Sequence, residues 1–407
     1  MNAAGVPLTA AAAVRVGIVA AEHSGDQLGA ALIGALRARV PQLICFGVAG
    51  PKMIAAGCEP WARADELGVM GLAEVLSHLP RLLKLRATLR TRLLRERPDV
   101  FIGIDAPEFN LGLARHLKRA GIPTVQYVSP QVWAWRQGRV RTIGTAVDLV
   151  LCLLPFESEF YAKHGVRAEF VGHPLADQIP LSADRAAARR ALGLEANVPL
   201  IALLPGSRLA EVTRLAAPFV EAARRIAQRK PGYGFIAPMA SAAIREVFAK
   251  EVAQVPGAPV IRLLEGEAQQ ALAAADGVIV TSGTATLETL LTGRPMVVAY
   301  KGSAVTAFVL RTLGIVKVRY FSLPNLLAGR ALVPEFLQEQ VRGAALADAL
   351  LEQIEEPARV AELQQEFTTI HRALRLDGAA RAAQAILGCL KRRTPSAGHA
   401  DARAPGV

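Results

Sequence analysis

The sequence predicts an α/β protein built from two doubly wound, Rossmann-like domains that face a cleft. Three observations predict it. Apolar runs of strand length alternate with helical segments from Val14 to the last helix. The runs are apolar throughout rather than every second residue, as parallel strands buried on both faces require. A strand, a glycine turn and a helix open the chain in "RVGIVAAEHSGD" from Arg15, and the same order opens again in "PLIALLPGSR" from Pro199. The repetition is one of architecture and not of sequence.

Taken in order, the first series of strands is "VRVGIVA", "LICFGVA", "DVFIGID", "PTVQYVS", "LVLCLLP" and "AEFVGHP". The second series is "PLIALLPGS", "YGFIAPM", "PVIRLLEG", "GVIVTSG" and "PMVVAY". Between them, residues 173–199 carry prolines, a short Ala/Arg helix and a turn, which marks a boundary. The expected domains are residues 14–175 and 176–359, with helices over about 360–392 packing back on the first domain or on a partner chain. Residues 393–407 are small, polar and Pro-containing, and are expected to be disordered. In doubly wound sheets ligands bind outside the carboxyl ends of the strands, so the residues just after strands matter most.

Composition narrows the class. The 407 residues suit two domains, and 52% hydrophobic with 20% charged residues excludes a disordered chain. Cys45, Cys58, Cys152 and Cys389 are scattered without a C-x-x-C, which argues against a disulfide framework or a zinc site and suits a reducing compartment. The net charge of +12 suits nucleic acid, acidic lipid or phosphorylated substrates. The first positive charge, Arg15, follows the Ala run, so the N-terminus does not read as a signal peptide. No apolar stretch reaches the length of about 18 residues that a spanning helix needs. The expectation is a cytoplasmic protein, with peripheral membrane attachment compatible.

Four segments carry candidate chemistry. In "TSGTATLETLL" a strand ends at Thr281, and Ser282, Gly283, Thr284 and Thr286 lead into a helix. Its free N–H groups and dipole suit a phosphate, and Glu288 can accept from a ribose diol; simple Ser/Thr capping is the alternative. In "LLPGSRLAEVTR" Ser207 can cap and Arg208 emerges at the same kind of strand end, either for phosphate or merely solvated. "GIDAPEFN" puts Asp105 at the end of a strand, as a general base or as a cap, with Asn110 placed to orient a neighbour. "YVSPQVWAWRQGRVRTIG" interleaves Trp133 and Trp135 with Arg136, Arg139 and Arg141, which suits a sugar or lipid phosphate, or else a packed helix. No nucleic-acid motif accompanies it, so nucleic acid is not the expected partner.

Residues 67–99 form a fifth signal. Leucines at helical spacing are accompanied by Arg81, Lys84, Arg86 and Arg90, as in a helix lying on a membrane surface or an ordinary core helix. "FSLPNLLAGRALVPEFLQE" reads by spacing as a loop followed by a helix. The first turn lacks the full G-x-G-x-x-G fingerprint of a dehydrogenase.

The ordered set "SGDQLGA", "GIDAPEFN", "YVSPQVWAWRQGRV", "FVGHPLAD", "LLPGSR", "SGTATLE" and "LPNLLAGR" resembles the lipid-A-disaccharide synthase family over about residues 14–392. The resemblance implies a GT-B fold and an inverting transfer from UDP-2,3-diacylglucosamine to 2,3-diacylglucosamine 1-phosphate (lipid X). The implied products are the β-1′,6-linked lipid A disaccharide 1-phosphate and UDP. It implies no metal or other cofactor, attachment to the anionic surface of the inner membrane, and a homodimer that exchanges C-terminal segments. It maps the catalytic aspartate onto Asp105 and the UDP phosphates onto Arg208 and the turn after Thr281. Glu288 becomes the ribose candidate, and Asn325 and Gln338 further donor-site positions. The first-loop residues Ser24, Gly25 and Asp26, with Asn110, Trp133, Arg136 and Arg139, fall to the acceptor side. One departure stands out: where the family reads A-G-E-x-S-G-D, this chain has Ala21 and His23. A histidine in that loop can itself serve as base, so His23 rivals Asp105. A UDP-N-acetylglucosamine 2-epimerase, a peptidoglycan-precursor transferase and a non-catalytic nucleotide-binding module are the alternatives.

Overall fold

The structure, a computed structural model, describes residues 13–67, 72–133, 137–302 and 319–391. The chain forms two units. Unit 1 contains the residues up to Pro174 and those from Asp377 onward, and unit 2 is Leu175–Leu376.

Unit 1 runs β1 (Val14–Ala20), α1 (Glu22–Arg37), β2 (Leu43–Ala49), α2 (Pro51–Ala55), β3 (Cys58–Arg63) and α3 (Leu72–Glu96). It continues through β4 (Val100–Ile104), α4 (Pro107–Arg119), β5 (Thr124–Tyr127), α5 (Val140–Ala146), β6 (Leu149–Cys152), α6 (Pro155–Ala162) and β7 (Ala168–Phe170). The seven strands are parallel and ordered β3-β2-β1-β4-β5-β6-β7. The order reverses between β1 and β4, where Ala20 pairs with Ile104. This is the switch point at which such sheets present a ligand crevice.

Two short helices follow, α7 (Pro174–Gln178) and α8 (Arg185–Ala191). Unit 2 then runs β8 (Leu200–Leu204), α9 (Leu209–Arg229), β9 (Gly234–Met239), α10 (Ala242–Gln254), β10 (Ile261–Glu265), α11 (Ala268–Ala274), β11 (Gly277–Thr281) and α12 (Thr284–Leu291). It closes with β12 (Met296–Tyr300), α13 (Leu323–Ala328), β13 (Glu335–Leu337), α14 (Gly343–Ile354) and α15 (Pro357–Leu374). Its six parallel strands are ordered β10-β9-β8-β11-β12-β13, with the switch point between β8 and β11. The last helix, α16 (Gly378–Lys391), belongs to unit 1. Of the segment 360–392, the part through Leu374 therefore lies in unit 2 and only α16 lies in unit 1.

Each sheet is covered on both faces, which is why its strands are apolar throughout. In unit 1 one face packs Leu32, Ile33 and Leu36 of α1 with Ala382 and Ile386 of α16 over Ile18 and Ile102. The other packs Leu89 and Leu93 of α3 and Leu113 and Leu117 of α4 over Val19 and Phe101. In unit 2, Phe219, Ala223 and Ile226 of α9 meet Phe235, Ile279 and Leu350. Each such large side chain contributes about 1.5–3 kcal/mol on burial. All four cysteines are buried, and no disulfide forms among the described residues. Burial pushes the Cys45 thiol up to about 11.

Two readings of the sequence are corrected here. The edge strands β3 and β13 carry no continuous apolar run and were not anticipated. The segment after Phe321 is a helix first, α13, which ends at Gly329 with a left-handed φ of 66°, and only then an extended loop and strand. In α3, Leu89 and Leu93 are core residues, whereas Leu79 and Leu83 are exposed. The expected tail, residues 393–407, lies outside the described residues.

Candidate active site

At the unit 1 switch point, β4 is buried along its whole length and delivers Asp105 at its carboxyl end. Asp105 and Ala106 both adopt left-handed backbone conformations, with φ of 51° and 39°. Such conformations cost roughly 1–3 kcal/mol each and persist only where neighbours enforce them. Ala106 is the N-cap of α4 and no side chain caps that helix, so Asp105 is not its cap. Among the described residues its carboxylate takes no hydrogen bond or ion pair, while its backbone carbonyl accepts from Asn110 Nδ2 at 2.8 Å. Asn110 thus orients a neighbour, and that neighbour is the Asp105 peptide. It can approach because residue 103 is glycine: a Cβ there would lie 2.7 Å from the Cβ of Asn110.

Register pairing of Ala20 with Ile104 sets the start of α1 beside the Asp105 turn. His23 and Ser24 are exposed in the first turn of α1, and Gly25 is buried beneath them. No side chain caps this helix. Asp26 points the other way. It is 2% exposed, and its carboxylate accepts from the backbone N–H of Lys52 and Met53, both at 2.9 Å. Through these bonds it holds the N-terminus of α2.

Trp133 donates its indole N–H to Glu157 Oε1 at 3.1 Å and packs edge-on against Phe156. Burial raises the Glu157 carboxyl to about 7. Arg139 pairs with Glu108, in the first turn of α4, at 2.7 Å. Trp135 and Arg136 lie outside the described residues. On α3, Arg81 and Lys84 are exposed beside Leu79 and Leu83, whereas Arg86 and Arg90 are half-buried.

The unit 2 switch point holds a cavity of about 340 Å³. Leu204, Gly206, Ser207 and Arg208 form one wall, and Thr281, Ser282, Gly283, Thr284 and Glu288 the other, with Pro238, Met239 and Gly266 beside them. Here the capping alternative for the Ser/Thr run fails, because α12 begins at Gly283 with no side-chain cap. Ser282 instead donates its hydroxyl to the carbonyl of Phe321 at 3.0 Å. Thr286, fully buried, turns its hydroxyl back to the Gly283 carbonyl at 2.8 Å and does not line the cavity. The first turn of α12 is left to face the cavity with its backbone N–H groups, a geometry suited to anions. Glu288 lines the cavity, and its burial raises its carboxyl above the usual range.

Across the cavity, Arg208 is the N-cap of α9 in place of Ser207. Its side chain is 76% exposed and touches Glu211 at 3.3 Å. Gly206, with φ of 132°, leaves room for Glu211, whose carboxylate would lie 2.6 Å from a Cβ there. Asn325 does not line the cavity. It is 1% exposed, and its amide is consumed by the backbone of Leu332 and Val333 at 2.7–2.9 Å. Gln338, with a left-handed φ of 53°, is also outside the cavity lining. In the structure Asn325 braces a loop and Gln338 occupies a turn position.

Glu335, one of the polar residues that "FSLPNLLAGRALVPEFLQE" offers, holds with its carboxylate the backbone N–H of Ser322 at 2.8 Å and of Phe321 at 3.2 Å. Through that turn it supports Ser282. Sequence reasoning missed Gln126, whose only signal is a buried polar residue inside "PTVQYVS".

Known proteins agree with this architecture. A family model described as Lipid-A-disaccharide synthetase matches residues 16–387. The Lipid-A-disaccharide synthase of Pseudomonas aeruginosa is 51% identical over 380 residues, covering 93% of this chain and 99% of that one. That of Xanthomonas campestris pv. campestris (strain 8004) is 48% identical over 396 residues, 97% of this chain and 90% of that one. Among solved structures, UDP-GlcNAc 2-epimerase from Neisseria meningitidis, bound to UDP-GlcNAc, superposes with a TM-score of 0.62 at 11% identity over 93% of this chain and 100% of that one. The glycotransferase of kitacinnamycin gives 0.60 at 19% identity over 93% and 99%. At those identities the structures establish the fold, a GT-B type of two Rossmann-like units. The sequence match spans both of those units, and the chain belongs to the lipid-A-disaccharide synthetase family.

Proposed function

We propose that the protein transfers a 2,3-diacylglucosaminyl group from UDP-2,3-diacylglucosamine to the 6-hydroxyl of 2,3-diacylglucosamine 1-phosphate, with inversion. As a member of this family it is a glycosyltransferase of lipid A disaccharide formation. In the proposed reaction the acceptor oxygen attacks the donor C1 as the C1–O bond to UDP breaks. The hydroxyl proton passes to the Asp105 carboxylate, and the products are the β-1′,6-linked disaccharide 1-phosphate and UDP. UDP occupies the unit 2 cavity, where Arg208 and the N–H groups at the start of α12 meet the charge that gathers on the leaving group. Glu288 accepts from the ribose diol.

The observation that carries the reading is Asp105, a carboxylate without a partner among the described residues, held on a strained turn at a switch point. A non-catalytic module has no use for an acidic residue there, and the family match speaks against an epimerase. Membrane attachment through α3 is part of the proposal, supported by exposed Leu79 and Leu83 flanking Arg81 and Lys84. Among the described residues no helix is long and apolar enough to cross a membrane. A homodimer exchanging C-terminal segments remains part of the family expectation.

The test is turnover of Asp105→Asn with both diacylated sugars, read as UDP release. We expect a fall of about 100-fold or more with UDP binding retained. Turnover equal to wild type removes Asp105 as base and moves the role to His23, which is exposed in the first turn of α1.

A further inference from the structure

We propose that Gln126 is a positioning residue for the transfer: its side-chain amide, together with Asn110, locks the Asp105 turn in the orientation that presents the carboxylate. The inference rests on Asp105 being the base. Gln126 is 1% exposed and lies inside β5, opposite Gly103 of β4. A buried polar side chain within a parallel strand is costly unless its hydrogen bonds are used. They are used on backbone at the carboxyl ends of two neighbouring strands. Nε2 donates to the Asp105 carbonyl at 3.0 Å and to the Val128 carbonyl at 3.3 Å, with the Tyr127 carbonyl at 3.5 Å.

The residues at those carbonyls are the strained ones. Asp105 has φ of 51°, and Val128, β-branched, has φ of 74°. A β-branched residue in that region is a true outlier. Asn110 Nδ2 completes the set with bonds to the carbonyls of Asp105 at 2.8 Å and Ile104 at 3.3 Å. Both lone pairs of the Asp105 carbonyl are thereby filled by side-chain amides. The orientation of the Asn110 amide follows from those two carbonyls, and its Oδ1 is left buried without a partner. The donors, not the acceptor, are what the site keeps. Because the direction of a side chain follows its backbone torsions, fixing this peptide fixes where the Asp105 carboxylate points.

The experiment compares Gln126→Met with wild type, in wild-type and Asp105→Ala backgrounds, by UDP release. Expected are a kcat lowered about 10-fold or more, KM for each sugar within about 3-fold, and UDP affinity unchanged. In the Asp105→Ala background the same substitution adds no further loss, because the residue it positions is gone. A kcat within 2-fold of wild type, or a loss that persists undiminished without Asp105, overturns the proposal. The reading beneath it fails separately, if Asp105→Ala alone keeps full turnover. Should Gln126→Met fold poorly, Gln126→Met/Val128→Gly removes the strain at residue 128 while leaving the Asp105 carbonyl unbraced. Low kcat in that folded variant supports positioning, and full recovery assigns Gln126 to structure alone.

Discussion

Replacing Arg208 with Ala separates binding from stability, because the structure gives it almost no structural work. Its side chain is 76% exposed, and its one side-chain partner among the described residues is Glu211 at 3.3 Å. An exposed pair of this kind contributes about 0–1 kcal/mol. Glu211 still receives the backbone N–H of residue 208 at 3.4 Å, so the start of α9 survives the change. Thermal unfolding of Arg208→Ala is therefore expected within about 4 °C of wild type. Binding differs. Arg208 lines the cavity wall facing the start of α12, and a charged hydrogen bond to phosphate contributes about 1.5–3 kcal/mol. At 1.4 kcal/mol per decade, UDP affinity falls about 10- to 150-fold. Removing the guanidinium also leaves the Glu211 carboxylate unscreened near the anion, which pushes toward the upper figure. Arg208→Lys keeps the charge but not the fork and recovers part of the loss. The assay is UDP titration by calorimetry, with UDP product inhibition as a second measure. A folded Arg208→Ala protein that binds UDP within 2-fold of wild type refutes the phosphate assignment.

Three more outcomes follow from other parts of the molecule. Arg189, 1% exposed, bonds the carbonyls of Ala274, Glu195, Ala196 and Val198 and the carboxylate of Asp276, so Arg189→Ala should cost about 3–5 kcal/mol in denaturant unfolding of unit 2; a cost under about 1 kcal/mol contradicts the network. Burial raises the Glu157 carboxyl from 4.5 to about 7, so the native state holds that proton longer than the unfolded chain does. The associated stability is full below about pH 4.5 and is lost as pH rises through about 7, roughly 3 kcal/mol in all; Glu157→Gln should unfold without this slope, and an identical slope in both proteins rejects it. Neutralising Arg81 and Lys84 to Gln should weaken binding to anionic vesicles with unfolding unchanged, and unaltered vesicle binding would leave α3 as a core helix only.

Much of this was legible in the sequence because buried parallel strands announce themselves. "VRVGIVA" is β1 and "LICFGVA" is β2 residue for residue. The two strands not read, β3 and β13, each lie at one edge of a sheet, half-exposed and without the apolar run that gave the others away. For the site, the strand-end rule located Asp105, Arg208 and the turn at Gly283, since topology alone puts them at switch points. What it could not give was direction. Asp26, Thr286 and Asn325 occupy motif positions yet spend their polar atoms on backbone, a fact set by helix phase and neighbouring loops rather than by local pattern. Gln126 escaped for the converse reason: it acts on a peptide distant in sequence, and only register brings it there.

The return of α16 to unit 1 has a consequence for synthesis. Ala382, Ala383 and Ile386 fill one face of the unit 1 core against α1 and the central strands. Leu175–Leu376 is one continuous stretch with a core of its own. A ribosome therefore delivers the second unit whole before the first can close. The unit that is started first is finished last, and until residues 378–391 emerge the face of its sheet that α1 shares with α16 is only partly covered, which leaves apolar surface exposed on a nascent chain stalled short of them.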